Sequence, residues 1–528
     1  MDFQGNNQES VLGMAQGSAR SGAQVVTKAI AVCDTVFDDC DERPVDSDFV
    51  LPDYCPDIAA VLKCTLEPVI QNKQLSGDRV SADGVAFLRV LYLDEERKCV
   101  RSCEFNKPFT STFILKSSVE NPCISLTAKT DYVNCRATSP RSLDVHGAFS
   151  VRLQVTAEGG SEVVTAVRGE GLYTRTRPVS YTVPVAFSEK QFTVSEVLEL
   201  GQGMPEAEML VRCEAVPVLE DCKLMTNKAI VKGELRLKNL YISNPETGAS
   251  QVARHEIPFS QIVDVDGLND EWICDVELET LMSDVHISVN QTGESRLLSV
   301  NVKLCARIQC YRTGTSEVVT DAYSIRCPLH MDARPLQAEH LLDITRSTCV
   351  VKQTLDLPPD GVSEVVDLWC EAAAVAERCE NGKAVVDGRL LIAMLARDSS
   401  GIIAYYERTG DFSLEFDEHC DRMPTRLTVI GADANMMGAN QMEIKVELAV
   451  SRRCMMSESC QAVCSLEEDE NSAFPTTDAA LKIYYARGGE SLWEIAKSCH
   501  TSMESVMEEN GLTADVLKDD IMLLVPLC

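Results

Sequence analysis

The chain has 528 residues, of which 45% are hydrophobic and 25% charged, and its formal net charge is −32. This length predicts about three to four domains of an ordinary globular composition. So negative a surface would repel nucleic-acid phosphates and anionic membranes, which excludes both as partners. It is compatible with simple solubility or, as the alternative, with docking to a basic protein. No apolar run approaches the ~18 residues of a membrane span, and residues 1–10 do not resemble a secretory signal.

The 23 cysteines are odd in number and are scattered through strand-like runs rather than framing short loops. We therefore expect reduced thiols, many of them buried as small apolar side chains; a disulfide-stapled secreted protein is the alternative. Cys454, Cys460 and Cys464 lack the paired spacing of a zinc site, as do Cys99 and Cys103. We predict no metal site and no cofactor.

In chain order, a polar tail rich in Gly, Gln, Asn and Ser comes first, and a strand begins near Gln24. The segment that follows, Leu51–Cys64, reads LPDYCPDIAAVLKC, and the chain repeats it twice in the same register. Leu200–Cys213 reads LGQGMPEAEMLVRC, and Leu357–Cys370 reads LPPDGVSEVVDLWC. A spacing of roughly 150 residues is the size of a domain rather than of a solenoid repeat. We predict three copies of one domain.

Each copy continues into a strand-like run with a glycine near its start, at Gly84, Gly233 and Gly388. Apolar and polar residues then mostly alternate, as in half-buried strands. The repeats are therefore predicted to be mainly β and sandwich-like. One short helix is expected in each copy, and in the first it would cover Asp57–Lys63.

The first two copies also share a closing piece, Ser161-Glu-Val-Val-Thr165 and Ser316-Glu-Val-Val-Thr320, which the third is predicted to lack. Connecting segments are expected at about 168–188 and 325–345. The predicted domains are a disordered tail (1–24), three repeats (25–167, 189–325 and 345–456), a flexible acidic linker (457–480) and a small module (481–528).

The small module combines helix signals with flanking strand signals. Ser491 and Glu494 form a capping box for a first helix, and Thr501 and Glu504 form one for a second. Asn510-Gly511 ends the second helix. The predicted order is strand–helix–helix–strand, a βααβ unit whose two strands can pair.

The pattern Tyr484-x4-Gly-Glu-Ser-Leu-Trp-x-Ile-Ala496, with Asn510-x-Leu512 and a final Val525-Pro526, resembles the LysM module, a small glycan-binding domain. The resemblance implies a groove for N-acetylglucosamine-containing glycans such as peptidoglycan, between the loop after the first strand and the loop before the second. The implied ligand-binding residues are Gly489, Glu490, Ser491, Leu492, Asn510, Gly511, Leu512 and Ile521. Gly488 and Asp520 depart from the family pattern, which leaves protein docking open as the alternative use of this fold.

Leu51-Pro-x-x-x-Pro-Asp-Ile58 resembles the signature of the SPOCS domain (DUF3794) of spore-forming Firmicutes, and the other two copies are degenerate versions of it. Tandem SPOCS domains before a LysM module resemble the layout of clostridial spore-morphogenesis proteins. That resemblance implies a mother-cell cytoplasmic location at the forespore surface. It also implies an adaptor that recruits the coat basement layer, whose core is a self-assembling morphogenetic ATPase.

The sequence contains no nucleophile elbow, P-loop or dinucleotide fingerprint, and its seven histidines are isolated from one another. Cys64, Cys213 and Cys370, which all three copies share, lie among apolar residues and are expected in the core. We therefore predict no catalytic residue and no enzyme; a peptidoglycan hydrolase is the enzymatic alternative. The favoured function is a coat-assembly adaptor that acts through its repeats and its LysM-like module. The alternative is a peptidoglycan-binding protein anchored by that module.

Overall fold

The computed structural model describes residues 24–97, 99–115, 123–357, 362–380, 382–437, 441–469, 471–475 and 479–527, apart from the side chains of 31–34 and 157–158. Within these residues the chain is mainly β, which confirms that part of the predicted fold class. Three repeats follow one another and precede a small module that carries the described helices.

The first repeat consists of β1 (Gln24–Pro44), β2 (Ser47–Val50), β3 (Ile58–Ser76), β4 (Arg79–Asp94), β5 (Val100–Ile114), β6 (Cys123–Ser139) and β7 (Ser142–Arg168). The second consists of β8 (Leu172–Glu199), β9 (Met209–Met225), β10 (Lys228–Asn244), β11 (Ala249–Asp264), β12 (Ile273–Ser288) and β13 (Leu297–Ser324). The third consists of β14 (Leu329–Asp356), β15 (Glu364–Glu380), β16 (Lys383–Arg397), β17 (Ile403–Phe416), β18 (Thr425–Met436) and β19 (Gln441–Glu468). The module consists of β20 (Leu481–Ala486), α1 (Leu492–Cys499), α2 (Met503–Asn510) and β21 (Ile521–Pro526).

Each repeat is a sandwich of two antiparallel sheets. One sheet is a three-stranded meander, β3–β4–β5 in the first repeat; the other joins the first, last and penultimate long strands, as in β8–β13–β12. Alternation places one face of each strand inward: Val231, Leu235 and Leu237 of β10 are buried, whereas Lys232 is exposed. The inward faces of the two sheets meet in one apolar core per repeat.

The glycine shared by the repeats lies directly opposite a phenylalanine of the next strand; the pairs are Gly84–Phe109, Gly233–Phe259 and Gly388–Phe412. A Cβ atom at Gly233 would lie 2.3 Å from the carbonyl oxygen of Val218 and 2.8 Å from Cζ of Phe259. The glycine is therefore required because backbone and ring approach too closely for any side chain.

The repeated Leu-to-Cys segment begins as a loop that an arginine holds in place. In the first repeat, Arg141 donates to the carbonyl oxygen of Pro52 at 2.9 Å and pairs with Asp57 at 2.9 Å. The hydroxyl of the buried Tyr92 donates to the carbonyl oxygen of Pro56 at 3.2 Å. These contacts fix the turn that the two prolines start.

The degenerate second copy keeps the same mechanism. Arg296 donates to the carbonyl oxygens of Met204 and Leu200 at 2.6 and 3.1 Å, and Tyr241 donates to that of Pro205 at 3.1 Å. Because all the acceptors are backbone oxygens, the loop sequence can vary while its shape is kept.

The helix predicted at Asp57–Lys63 is wrong, because β3 begins at Ile58 and pairs with β4. The register of this pairing shifts between Ile58 and Ala60 and again between Val61 and Lys63. Two bulges so close together break the period-two pattern, so that the apolar residues follow a spacing like that of a helix. No helix occurs in the repeats over the residues that the structure describes.

The long strands of each repeat extend beyond its sandwich as a two-stranded ribbon, which we call an arm. The arms are formed by 24–33 with 158–168 (arm 1), 172–183 with 312–324 (arm 2) and 329–341 with 455–468 (arm 3). A register shift marks the start of each arm, at Thr35/Phe37, Cys310/Tyr311 and Leu341/Asp343. A bulge bends and twists a strand, so all three ribbons leave their sandwiches in the same way.

The three arms pack on one another through apolar side chains. Val163 of arm 1, Val318 of arm 2 and Ala462 of arm 3 lie in one buried cluster. The neighbouring residues Val164, Val319 and Val463 lie in a second one. The Ser-Glu-Val-Val-Thr piece therefore supplies the valines that join the arms.

Two predictions about this region are wrong. The third repeat does not lack the closing piece, because Ala462 and Val463 occupy the corresponding positions with a different local sequence. The predicted connecting segments at 168–188 and 325–345 instead supply one strand each to arms 2 and 3. The sequence alternation in these segments could not be recognised as that of half-buried strands, because their apolar residues pack against the other arms.

The sandwiches also close into a ring, since each repeat contacts both others. Leu91, Leu240 and Leu395, at corresponding positions after the shared glycine, meet in one apolar cluster. Lys63 of the first repeat pairs with Glu407 of the third at 2.7 Å. The repeats therefore pack as a single body, in which corresponding residues of all three meet.

A buried carboxylate joins the second and third repeats. Asp367 has only 1% of its side chain exposed, and it pairs with Lys238 at 2.6 Å and Arg212 at 3.1 Å. The Arg212 guanidinium also stacks 4.3 Å above the ring of Trp369. Burial alone would raise the pKa of Asp367, but Arg212 and Lys238 outweigh it and lower the pKa below its ordinary value.

The cysteine shared by the repeats lies in or against the core, as predicted: Cys64 and Cys370 are buried, and Cys213 packs against the core of the second repeat. Burial raises the pKa of the Cys370 thiol to about 12. Such thiols are protonated at neutral pH and serve as packing groups. Cys64, Cys213 and Cys370 carry free thiols.

We expect Gly233→Ala to lower the free energy of unfolding by about 1–3 kcal/mol, because the new methyl group overlaps a backbone oxygen and the Phe259 ring. Lys232→Ala, one residue earlier and exposed, is the matched control. Denaturant unfolding of both variants measures the difference. Equal stability of the two would show that the close approach is not required.

We expect Asp367→Asn to cost about 2–5 kcal/mol at pH 7, because it leaves the half-buried Lys238 without its carboxylate partner and Arg212 with Glu214 alone. The folded pKa of Asp367 is lowered, so the stabilisation is present above its unfolded pKa of about 3.9 and is lost as the pH falls through the folded value. The difference from wild type should therefore shrink below about pH 4. Asp411→Asn, which breaks an exposed pair with Arg389, is the control. A loss no larger than in that control would contradict this role of Asp367.

Candidate functional site

The small module contains the residues that the sequence singles out for ligand binding. Its order is β20–α1–α2–β21, and the two strands pair antiparallel from Leu481–Pro526 to Ala486–Ile521. The helices cover one face of this sheet and enclose a small core that includes Leu492, Ile495 and Leu523. The strand–helix–helix–strand order is as expected, while assignment to the LysM family stays a prediction.

The first helix is capped by a residue distant in sequence. Ser491 is the N-cap, but its hydroxyl does not accept from the helix and instead donates to Oδ1 of Asp515 at 2.8 Å. The same oxygen accepts from the backbone N–H of Trp493 at 3.1 Å. Asp515 thus satisfies the open N–H that a capping side chain would satisfy. The capping bond predicted from Ser491 is absent, as its hydroxyl is used elsewhere.

The second helix begins one residue later than predicted. Its N-cap is Ser502, whose hydroxyl accepts from the N–H of Ser505 at 2.9 Å, so Thr501 is not the capping residue. Gly511 ends the helix with a φ of 62°, the left-handed conformation that glycine favours, as predicted.

The two predicted ligand loops are joined by backbone hydrogen bonds. Gly489 donates its N–H to the carbonyl oxygen of Leu517 at 2.7 Å, and Leu517 donates to that of Glu490 at 3.0 Å. Asp520 accepts from the N–H of Gly488 at 2.9 Å. A Cβ at Gly488 would lie 2.9 Å from the Lys518 carbonyl oxygen. The two departures from the family pattern therefore make contacts that hold the loops together.

The predicted groove residues have different environments. Gly489, Gly511 and Ile521 are exposed, whereas Glu490 and Leu512 are half-buried. Leu492 is fully buried in the module core, so only its backbone could reach a ligand. The groove assignment as a whole remains a prediction.

Asn510 is engaged inside the module. Its amide donates to the carbonyl oxygens of Val506 at 2.8 Å and Leu524 at 2.7 Å, and its oxygen accepts from the Leu524 N–H at 2.8 Å. The Ser491 hydroxyl is also occupied, so two of the three polar side chains that resemblance implied for a sugar have partners inside the module. The third, Glu490, accepts from the N–H of Arg487 at 3.3 Å in a solvent-exposed hydrogen bond.

The module docks on the end of arm 2, a contact that sequence reasoning missed. The indole N–H of Trp493 donates to Asp321 at 2.7 Å, and Lys497 pairs with the same carboxylate at 2.7 Å. Tyr323 donates its hydroxyl to the carbonyl oxygen of Thr501 at 3.0 Å, and its ring meets that of Trp493 edge to face at 4.8 Å. The outer face of α1 is thereby fixed to the second repeat.

A further ion pair connects arm 2 to the ligand loops. The Arg175 guanidinium donates to Oδ2 of Asp515, the oxygen that the module itself does not use. It also lies 5.6 Å from the centre of the Trp493 ring, a cation–π arrangement. No local sequence signal links Arg175 to Asp515.

The segment between the third repeat and the module begins later than predicted. β19 continues to Glu468, through the first part of the predicted 457–480 linker. After it, Phe474 donates its N–H to the carbonyl oxygen of Arg326 at 2.9 Å and stacks on His500 with ring centres 3.6 Å apart. Burial and the nearby Lys482 lower the pKa of His500. The described part of the segment therefore follows the surface of the second repeat.

In the described part of the chain, no group of three or more His, Cys, Asp or Glu side chains could hold a metal ion. Cys460 and Cys464 pack against the arm cluster. Neither α1 nor α2, the helices that the structure describes, has the length and apolar character of a membrane span.

A family model described as SipL, SPOCS domain, matches residues 57–137 and 206–289. The matched segments are corresponding parts of the first and second repeats, from the start of the meander to the penultimate long strand. These segments are similar to SPOCS domains, which are not a known enzyme family and which indicate a sporulation-related protein. No curated protein and no solved structure matches the chain.

We expect Asn510→Ala to destabilise the module by roughly 1–3 kcal/mol, because it removes hydrogen bonds that connect α2 to β21. Asn510→Asp keeps the acceptor for Leu524 and should lose less, and the exposed neighbour Glu509→Ala is the control. Hydrogen exchange of β21 in the full chain measures the effect. Unchanged exchange with reduced ligand binding would make Asn510 a ligand residue instead.

Proposed function

We propose that this protein is a non-enzymatic adaptor in spore-coat assembly, which binds protein partners through its repeat ring and its LysM-like module. The observation that carries the proposal is the chemistry of the free module surface. Ile483 is 56% exposed, Tyr485 77% and Met522 51%, and all three lie on the sheet face that the helices do not cover. An apolar surface of this kind is typical of protein contact.

The competing function is peptidoglycan binding through the predicted groove. A glycan needs free hydrogen-bonding groups, yet the Ser491 hydroxyl and the Asn510 amide have internal partners. This favours a protein ligand. The resemblance suggests as partner the morphogenetic ATPase of the coat basement layer, and as location the mother-cell side of the forespore surface.

The test uses the full chain, because the module shares its docking face with arm 2. The purified chain is assayed for binding to a purified coat morphogenetic ATPase by biolayer interferometry and to insoluble peptidoglycan by co-sedimentation. Binding to the ATPase without retention on peptidoglycan supports the adaptor. Saturable peptidoglycan binding alone supports the wall-anchor function.

We expect Met522→Arg, on the exposed apolar face beside Tyr485, to weaken ATPase binding at least about tenfold. Ile521→Arg, beside the ligand loops on the other face of β21, tests the groove in the same way. Val375→Arg makes the same change at an exposed position of the third repeat and should leave binding unchanged. Binding by Met522→Arg equal to that of Val375→Arg would overturn the exposed face as the contact, and the same result for Ile521→Arg would mean that the groove is assigned wrongly.

A further inference from the structure

Arm 2 contacts the module on both sides of Trp493. Asp321 binds the indole and Lys497, which lie on the docked face of α1. Arg175 instead reaches Asp515, which belongs to the segment before β21. The first contact fixes the helix, and the second reaches the loops that are proposed to bind a ligand.

Asp515 connects these loops to each other through hydrogen bonds. One of its oxygens accepts from the Ser491 hydroxyl and the Trp493 N–H, and its backbone oxygen accepts from the Leu492 N–H at 2.7 Å. A carboxylate with a single engaged oxygen could rotate about its side-chain bond. The guanidinium of Arg175 on the other oxygen restrains this rotation, because a charge-assisted hydrogen bond is stronger than a neutral one.

We propose that the ligand site of the module is composite, with Arg175 of the second repeat as a positioning residue. Arg175 orients Asp515, and Asp515 holds Ser491 and the start of α1 in the conformation that binds a ligand. The identity of the ligand in this inference rests on the proposed function. The positioning of the loop by Arg175 does not depend on that function. Any ligand that requires the ordered loop then binds better when the module is docked.

A composite site also predicts which part of the module is loosened when a single contact with arm 2 is removed. Loss of Asp321 removes the polar contacts of Trp493 and Lys497 but leaves the Tyr323 contacts and the Arg175–Asp515 pair. Loss of Arg175 releases one oxygen of Asp515 while Trp493 still donates to Asp321. The two changes therefore separate docking from positioning. Arg177, two residues along β8, donates to the Ser459 carbonyl oxygen in arm 3 and provides a matched control.

The experiment compares full-length Arg175→Ala, Arg175→Lys, Asp321→Ala and Arg177→Ala. Hydrogen exchange of a peptide covering 488–495 reports on the N–H groups of Leu492 and Trp493. We expect Arg175→Ala to accelerate this exchange at least about tenfold, with Asp321→Ala having a smaller effect and Arg177→Ala none. Arg175→Lys keeps the charge without the fork and should restore part of the protection.

The second readout is the affinity for the purified coat ATPase, which Arg175→Ala should lower about three- to tenfold with the thermal midpoint unchanged. Exchange equal to that of Arg177→Ala overturns the positioning role. Faster exchange with unchanged affinity overturns the composite site. If the wild-type chain binds no ATPase, the proposed function fails, while the exchange experiment still decides whether Arg175 positions the loop.

Discussion

The packing of the three arms is the constraint on which the rest of the structure depends. A two-stranded ribbon is at best marginally stable alone in water, because it has little apolar surface to bury. Here Val163, Val318 and Ala462 are buried only through contact between ribbons. Since each ribbon continues the long strands of its sandwich, the arms also fix how the three sandwiches are placed. A single repeat removed from the chain would expose this surface, so the three repeats depend on one another.

Charge has a different role inside the ring from its role on the surface. The chain is strongly acidic, and where the second and third repeats meet the buried carboxylate of Asp367 lies between the half-buried cations of Lys238 and Arg212. The free energy of removing such charges from water offsets most of their mutual attraction. The pairs therefore contribute more to the choice of the neighbouring repeat than to net stability. The pair of Lys63 and Glu407 is half-exposed and differs in its residues from the Asp367 site. Apolar contacts that the repeats share thus form the ring. The ion pairs differ from one interface to the next and so distinguish the interfaces.

Features that depend on a local sequence pattern could be predicted from the sequence. Features that depend on contacts between residues distant in sequence could not. The three repeats, the β class and the shared glycine could be predicted, because alternation and register are visible in one copy at a time. The arms could not, since Val179 of β8 is buried in a cluster to which all three arms contribute residues. The cap of α1 was missed for the same reason, because the carboxylate that accepts from Trp493 belongs to Asp515, far beyond the span of a capping box. In both cases the role of the residue is decided by contacts with residues that are distant in sequence.

The docked module changes how an adaptor of this design would work. A module on a flexible tether adds affinity through effective concentration, which falls as the tether lengthens. Here Asp321 and Tyr323 fix the module to the second repeat, so its free surfaces keep one orientation relative to the ring. Binding at the module then costs little orientational entropy, and a partner that touches both surfaces must match their geometry. The outward Tyr485 and the loop held by Asp515 lie on parts of the module that the dock leaves open, so the contact that restrains the module also determines which of its faces a partner can reach.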